Sequence, residues 1–291
     1  MKRILTLALT LCLLAAALAS CKGREKVNLA GMTSLSDISG SGATIAAQTG
    51  TFHLDALRSQ LTGINAVEYK NFDTMLTALR SGAIDGYVAE EPTAVDACAK
   101  YSDIGYIKLK NNDTGFLVTG DDNGIAIGLK KGSALTARIN QILTEKVTPA
   151  VQTALMEQMF AICTAPDTEQ NLSPVLQSSN TDVSGGTLRV SMECAYRPFN
   201  WTQTTGANGA VQFGEGLYAN GYDVQIAKFI AAELGMKLEI VQNEFDSLIS
   251  AVQSGNVDAI IAGMSPTAER LKQVDFTQCY YKSELVIIYK K

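Results

Sequence analysis

Apolar positions along this chain fall into two patterns, stripes spaced at the helical period and short continuous runs that suit buried strands. In the N-terminal half, 44–47 predicts a strand, 52–61 a helix and 66–69 a second strand. In the C-terminal half, 187–192 (TLRVSM) and 237–242 read as strands. Between them, Val224, Ala227, Ile230 and Leu234 share one helix face, with Asp223 as the cap and Gly235 as the stop. Strands alternating with helices predict an α/β protein with open, mostly parallel sheets flanked by helices. Such sheets bind ligands outside the carboxyl ends of their strands.

The pattern also repeats. Residues 72–89 (FDTMLTALRSGAIDGYVA) lie over 245–262 (FDSLISAVQSGNVDAIIA), with Phe, Asp, Ala, Ser, Gly, Asp and Ala recurring in place. Each copy is an amphipathic helix, a glycine at its C-terminal end and a short buried strand, at 84–89 and 257–263. Pro92-Thr93-Ala94 and Pro266-Thr267-Ala268 follow the two copies, offset by one residue. Two copies so far apart do not make a solenoid, whose period is about 20–50 residues. They predict two similar lobes. The Ser-, Asn-, Pro- and Gly-rich stretch 165–186 lacks hydrophobic periodicity and reads as a linker, and 22–32 reads as a polar tether.

At the N-terminus, Lys2 and Arg3 precede an apolar stretch, 4–19, that is short for a membrane span. Leu18-Ala19-Ser20-Cys21 resembles the lipobox of bacterial lipoproteins. The resemblance implies that 1–20 is a signal peptide and that the Cys21 thiol is lipidated. The chain would then be anchored to the outer face of the bacterial cytoplasmic membrane through a tether, 21–34. The formal charge of −5 argues against a nucleic-acid partner. Cys98, Cys163, Cys194 and Cys279 remain for one or two bridges, or for buried thiols, and spacing does not choose among these. With His53 as the single histidine and no close CxxC pair, neither a metal site nor a cofactor is expected.

Several residues carry candidate chemistry. Gly263, Met264, Ser265, Thr267 and Arg270 run from the end of the 257–263 strand into a short helix. A helix N-terminus offers unpaired N–H groups to a carboxylate, and Arg270 adds a planar fork. Thr49, Gly50 and Thr51 lead into the helix at Phe52 in the same way, glycine allowing close backbone approach. Tyr196, Phe199 and Trp201 cluster after the 187–192 strand, and Glu90 with Glu91 follows the 84–89 strand.

These stretches are recognisable together. LRVSMECAYRPFNW, GYDVQIAKFIAAELGMKLEIV, FDSLISAVQSGNVDAIIAGMSPTAERLKQVDFT and YYKSELVII resemble the first lobe of the polar amino-acid family of periplasmic solute-binding proteins, family 3, which have the two-lobed type II fold. ISGSGATIAAQTGTFHLDAL and YKNFDTMLTALRSGAIDGYVAEEPTA resemble its second lobe, and GIAIGLKKGSALTARINQILTEKVTPAVQTALMEQMF the segment that returns to the first. The order is permuted: 35–120 would be the second lobe, 121–164 the return strand and helices, 165–186 the linker and 187–291 the main part of the first lobe. That arrangement predicts contiguous lobes joined by a single crossover near 119–124, and hence a looser open state.

The resemblance implies roles. Ser265, Thr267 and Arg270 would hold a ligand's α-carboxylate, with Thr51 reaching its second oxygen. Glu90 stands where the family usually has an Asp for the α-ammonium, with Glu91 an alternative. Tyr196 or Phe199 would stack on the ligand side chain. Glu193 stands where binders of basic amino acids place an acid, which favours arginine or lysine over glutamine or another polar amino acid. The implied protein is a monomeric, non-enzymatic binder that serves the permease of an ABC transporter. The alternatives are an extracytoplasmic sensor and a dehydratase-type enzyme on the same scaffold.

Overall fold

The structure is a computed structural model that describes residues 25–120 and 124–291. The signal-peptide and lipidation readings at 1–21 lie outside the described residues. So does the centre of the expected crossover, 121–123.

The N-terminal lobe opens with a capped turn of helix, α1 (Leu35–Ile38), and continues β1 (Thr44–Gln48), α2 (Phe52–Gln60), β2 (Asn65–Tyr69), α3 (Phe72–Ser81), β3 (Gly86–Glu90), α4 (Glu91–Lys100) and β4 (Ile104–Ile107). The chain then enters the C-terminal lobe through β5 (Gly124–Leu129), α5 (Leu135–Lys146) and α6 (Pro149–Cys163). No helix or strand interrupts 164–186, whose Val175 and Leu176 pack on the core. After it come β6 (Thr187–Met192), an antiparallel excursion of β7 (Ala195–Tyr196), β8 (Asn200–Gln203), β9 (Val211–Gly214) and β10 (Leu217–Asn220), then α7 (Tyr222–Glu233) and β11 (Lys237–Gln242). The lobe closes with α8 (Leu248–Ser254), β12 (Ala259–Ile260), α9 (Ala268–Leu271) and β13 (Asp275–Lys282), and the chain ends in β14 (Leu285–Lys290).

The two main sheets have one topology. Their orders are β2-β1-β3-β14-β4 and β11-β6-β12-β5-β13. In each, the first three strands pair in parallel, and the fourth position holds a strand, β14 or β5, that is antiparallel to both of its neighbours. The sequence repeat is thus the α3–β3 unit and the α8–β12 unit, at equivalent places in the two lobes. In α3, Phe72, Met75, Ala78 and Leu79 are the buried stripe, and Gly82 closes the helix at φ 79, where a side chain would be strained. Gly255 closes α8 in the same way at φ 78, although the first turn of that copy, Phe245–Ser247, is 3₁₀.

Three expectations are corrected. First, 187–291 is not confined to one lobe, because β14 inserts between β3 and β4 of the N-terminal lobe. Val286, Ile287 and Ile288 are fully buried there. The lobes are therefore joined twice, between β4 and β5 and between β13 and β14, and the reasoning for a looser open state falls. The two connections are also tied to each other. Asn111 N–H donates to Glu284 Oε2 at 2.6 Å, and Leu285 N–H donates to Asn111 Oδ1 at 3.2 Å. Second, the tether reading fails from Val27 onward. Leu29 is 1% exposed in a core with Leu285 and Ile287, and Val27 N–H donates to Asp85 Oδ1. Third, Gly221 is the N-cap of α7, and Asp223 makes no cap. Its carboxylate is fully buried, accepting from Tyr280 Oη at 2.6 Å and Asn200 Nδ2 at 2.8 Å.

Candidate functional site

The carboxyl ends of both parallel sheets face one cleft. Gln48 ends β1, Thr51 and Phe52 start α2 with His53 behind them, and Phe72 starts α3. Across the cleft stand Tyr196 of β7, Phe245, Gly263, Ser265 and Arg270. Phe72 and Phe245 are the first residues of the two repeat copies, so the internal duplication sets an aromatic on each wall.

Arg270 is 8% exposed. Its Nη1 donates to the Ser265 carbonyl at 2.9 Å, and its Nη2 crosses to the Gly50 carbonyl of the other lobe at 2.8 Å. The guanidinium carbon lies 5.3 Å from the centre of the Phe245 ring. Burial holds its pKa down at about 10, still far above neutral, so the side chain is a buried cation with carbonyls but no carboxylate bonded to it. Thr267 caps α9, accepting from the Arg270 N–H at 3.4 Å, and so fixes the turn that aims the arginine. Thr51 caps α2 in the same manner, accepting from Leu54 N–H, while Thr49 turns its hydroxyl to the Tyr69 carbonyl.

Two buried carboxylates complete the electrostatics. Glu193 Oε2 accepts from Gln48 Nε2 across the lobes at 2.6 Å, and its Oε1 has no hydrogen-bond partner within the protein. Burial pushes its pKa up to about 8; the Gln48 bond opposes this, and Asp73, Glu244 and Asp223 add to it. Glu90 Oε1 lies 3.0 Å from His53 Nε2, and neither Glu90 Oε2 nor His53 Nδ1 has a partner within the protein. Of the two adjacent glutamates, Glu90 is the buried one. Glu91 faces outward to Tyr106 and Lys108.

The aromatic cluster divides. Tyr196 stacks on Phe72 with ring centres 3.9 Å apart and planes 12° from parallel, bridging the lobes. Its hydroxyl is buried and unpartnered. Gly263 is what admits that ring. At φ 63, a Cβ there would sit 2.8 Å from the Tyr196 edge. Phe199 stands behind Tyr196 against Tyr222 and Tyr281, and Trp201 is buried under Arg197 with its N–H on Gln203. Both are core residues of their lobe. Met264 is core too, its carbonyl accepting from Ala126 N–H of β5. Gln48, His53, Phe72 and Phe245 are cleft residues that the sequence reading missed. The repeat held the signal for the two phenylalanines.

Among the described residues, five buried side-chain polar atoms lack a hydrogen-bond partner, and four of them belong to this cluster: His53 Nδ1, Glu90 Oε2, Glu193 Oε1 and Tyr196 Oη. Buried polar groups are normally paired, so such a concentration marks a place built for a polar ligand. Cys98, Cys163 and Cys194 are free thiols. No described helix is long and apolar enough to cross a membrane.

Two lobes of one topology, facing each other across a cleft that holds a buried guanidinium and two buried carboxyl groups, form the two-lobed α/β architecture of the type II fold. Residues 188–291 match the family model of bacterial extracellular solute-binding proteins, family 3. The arginine-binding extracellular protein ArtP of Bacillus subtilis (strain 168) is 36% identical over 116 residues, covering 39% of this chain and 41% of that protein. A probable histidine-binding protein of Campylobacter jejuni is 32% identical over 140 residues, 48% of each chain. The arginine-bound form of domain 1 from TmArgBP is 32% identical, over 37% of this chain and 82% of that one, with a TM-score of 0.29. The chain thus spans less than half the length of these two curated relatives.

Proposed function

We propose that this protein is an extracytoplasmic, lipid-anchored solute-binding protein that captures arginine or lysine between its lobes and delivers it to the permease of an ABC transporter. One observation carries the reading. A single cleft gathers one buried guanidinium and two buried carboxylates, each carboxylate with an unpartnered oxygen. A ligand that satisfies all three brings one carboxylate and two separated cations. Its carboxylate pairs with Arg270, its α-ammonium with Glu90 and its distal cation with Glu193, while Tyr196 and Phe72 flank its side chain. Buried charges are tolerated when paired, and arginine leaves none of the three unpaired. Glutamine leaves Glu193 without a counter-charge, and glutamate brings a second anion to it. Three of the site's links already bridge the lobes: Arg270 to Gly50, Gln48 to Glu193 and Phe72 to Tyr196. A ligand that adds more such links shifts the equilibrium toward closure. The naming of relatives as arginine- and histidine-binding proteins favours the same class of ligand.

The chain order is read as a circular permutation with its cut inside the N-terminal lobe. Each main sheet has five strands, and the first and last described segments meet in the N-terminal lobe, Leu29 packing in one core with Leu285 and Ile287. A family match restricted to 188–291 is consistent with a linear alignment that stops where the order breaks.

The test is titration calorimetry on the chain from Lys22 onward, with L-arginine, L-lysine, L-histidine, L-glutamine, L-glutamate and prephenate. Micromolar or tighter binding of arginine or lysine, about −8 kcal/mol or better, is the expected result. Binding of glutamine alone removes Glu193 as the selector, and binding of none removes the function.

A further inference from the structure

Glu193 stands between two spaces of very different size. The inner one, around Arg270, Ser265, Thr51 and Gln48, encloses about 10 Å³. The outer one measures about 440 Å³ and lies between the lobes. Asn71, the N-cap of α3, forms one side of it, and Ala195 with residues of the 242–247 segment forms the other. Glu193 lines the outer space but not the inner one. Its Oε2 is held by Gln48 of the inner wall, and its Oε1 has no partner within the protein. The residue is only 5% exposed, so a buried, unsatisfied carboxyl group marks the boundary. Beyond it stand Gln242, Asn243, Glu244 and Ser247, and among the described residues no lysine or arginine lines the space. Resting on the amino-acid-binding reading above, we infer that the outer space is a subsite for an arm carried on the ligand's distal nitrogen, so that the protein takes basic amino acids extended there by a polar, positively charged group.

The two ends of such a ligand meet different walls. A substituent at the α end enters the enclosed side of the cleft, where overpacking forces side chains off their rotamers. The distal end reaches Glu193, whose outer side gives on a volume within the range of small-molecule pockets, about 300–1,000 Å³. Charge and hydrogen bonding then decide which arm fits. Gln242 Nε2 donates to the Glu193 carbonyl at 3.1 Å, and Asn243 Nδ2 donates to Ser191 Oγ at 2.8 Å. With those amide nitrogens engaged, the carbonyl oxygens of Gln242 and Asn243 and the Glu244 carboxylate remain as acceptors. A donor arm satisfies them, an apolar arm desolvates them without return, and an anionic arm meets like charge. Glu244 is exposed, so its attraction for a cationic arm is that of a surface ion pair, about two- to fivefold in affinity.

The experiment is titration calorimetry at pH 8 on the chain from Lys22 onward, with L-arginine, Nω-(2-aminoethyl)-L-arginine, Nω-carboxymethyl-L-arginine and α-N-methyl-L-arginine. On the unaltered chain the aminoethyl compound is expected to bind about two- to fivefold more tightly than arginine. The carboxymethyl and α-N-methyl compounds should bind more weakly than arginine. Glu244→Gln removes a charge and little volume, and should bring the aminoethyl and arginine dissociation constants together. Ser247→Phe narrows the space and should weaken the aminoethyl compound relative to arginine by roughly tenfold or more. Each ratio is read within one variant, so a general loss of stability or affinity does not imitate the result. Aminoethyl-arginine binding the unaltered chain about tenfold or more weakly than arginine, or a ratio that neither substitution moves, would overturn the inference while leaving arginine capture standing. If arginine itself does not bind, the underlying reading falls and this inference with it.

Discussion

Substituting Glu193 by Gln tests the heart of the site, because it removes a charge and little volume. Burial raises the Glu193 pKa to about 8 from an ordinary value near 4.5. A group raised in this way favours the folded protein most below its unfolded value, and that contribution is lost as pH rises through about 8. At pH 7 most of the carboxyl is therefore protonated before a ligand arrives. A guanidinium must first release that proton, at a cost of about 1.4 kcal/mol for each pH unit below the raised value. Against this, truncating one partner of a buried, hydrogen-bonded charge pair costs about 2–5 kcal/mol. The net penalty to arginine at pH 7 is then roughly 1–4 kcal/mol, a loss of about five- to several-hundredfold in Kd. The penalty grows at pH 8, where about half of the carboxyl is already ionised and little cost of proton release remains. Glutamine, which brings no distal charge, should shift by no more than about threefold on the same scale. The variant should also lose the part of the pH dependence of arginine affinity that Glu193 supplies between about pH 5 and 8. Calorimetry of both ligands at pH 6, 7 and 8 measures all of this. If Glu193→Gln binds arginine as tightly as the parent at pH 8, the carboxylate does not face the ligand's cation and the reasoning fails.

Other expectations follow from the same geometry. Arg270→Ala should weaken arginine binding by about 2–5 kcal/mol, and Arg270→Lys should recover only part of it. A lysine ammonium lacks the fork that spans Ser265 and Gly50; equal affinity of the Ala variant would relocate the carboxylate. Gly263→Ala forces a methyl to 2.8 Å from Tyr196 at φ 63. It should cost about 1–3 kcal/mol of stability by chemical denaturation and open the Tyr196–Phe72 stack; an unchanged midpoint would refute the close-approach argument. Leu29→Ala removes a fully buried side chain from the core it shares with Leu285. Denaturation should show a loss of about 2–5 kcal/mol, whereas a flexible tether would lose almost nothing.

Much of this was legible along the chain. The Phe-Asp repeat announced two like lobes, and the residues after each repeated strand announced the cleft, because parallel α/β sheets expose the carboxyl ends of their strands. Ser265, Thr267 and Arg270 stood out since capping chemistry and a planar cation are local signals. The terminal strand did not. LVIIYK reads as a buried strand wherever it sits, and its periodicity carries no mark of the sheet it joins.

The sequence by itself determined the helices and strands of the repeated units, the glycines that stop those helices, that the fold is duplicated, and which charged residues stand at the ends of the repeated strands. These follow from propensities and spacings that act over a few residues. Only the tertiary structure decided which groups meet. Gln48 and Glu193 are 145 residues apart, His53 and Glu90 are 37 apart, and Arg270 reaches Gly50 across 220. Such pairings depend on which sheet accepts β14 and β5, and so on how the two lobes face each other. That choice is made by burial summed over whole sheets, so no short window of residues records it.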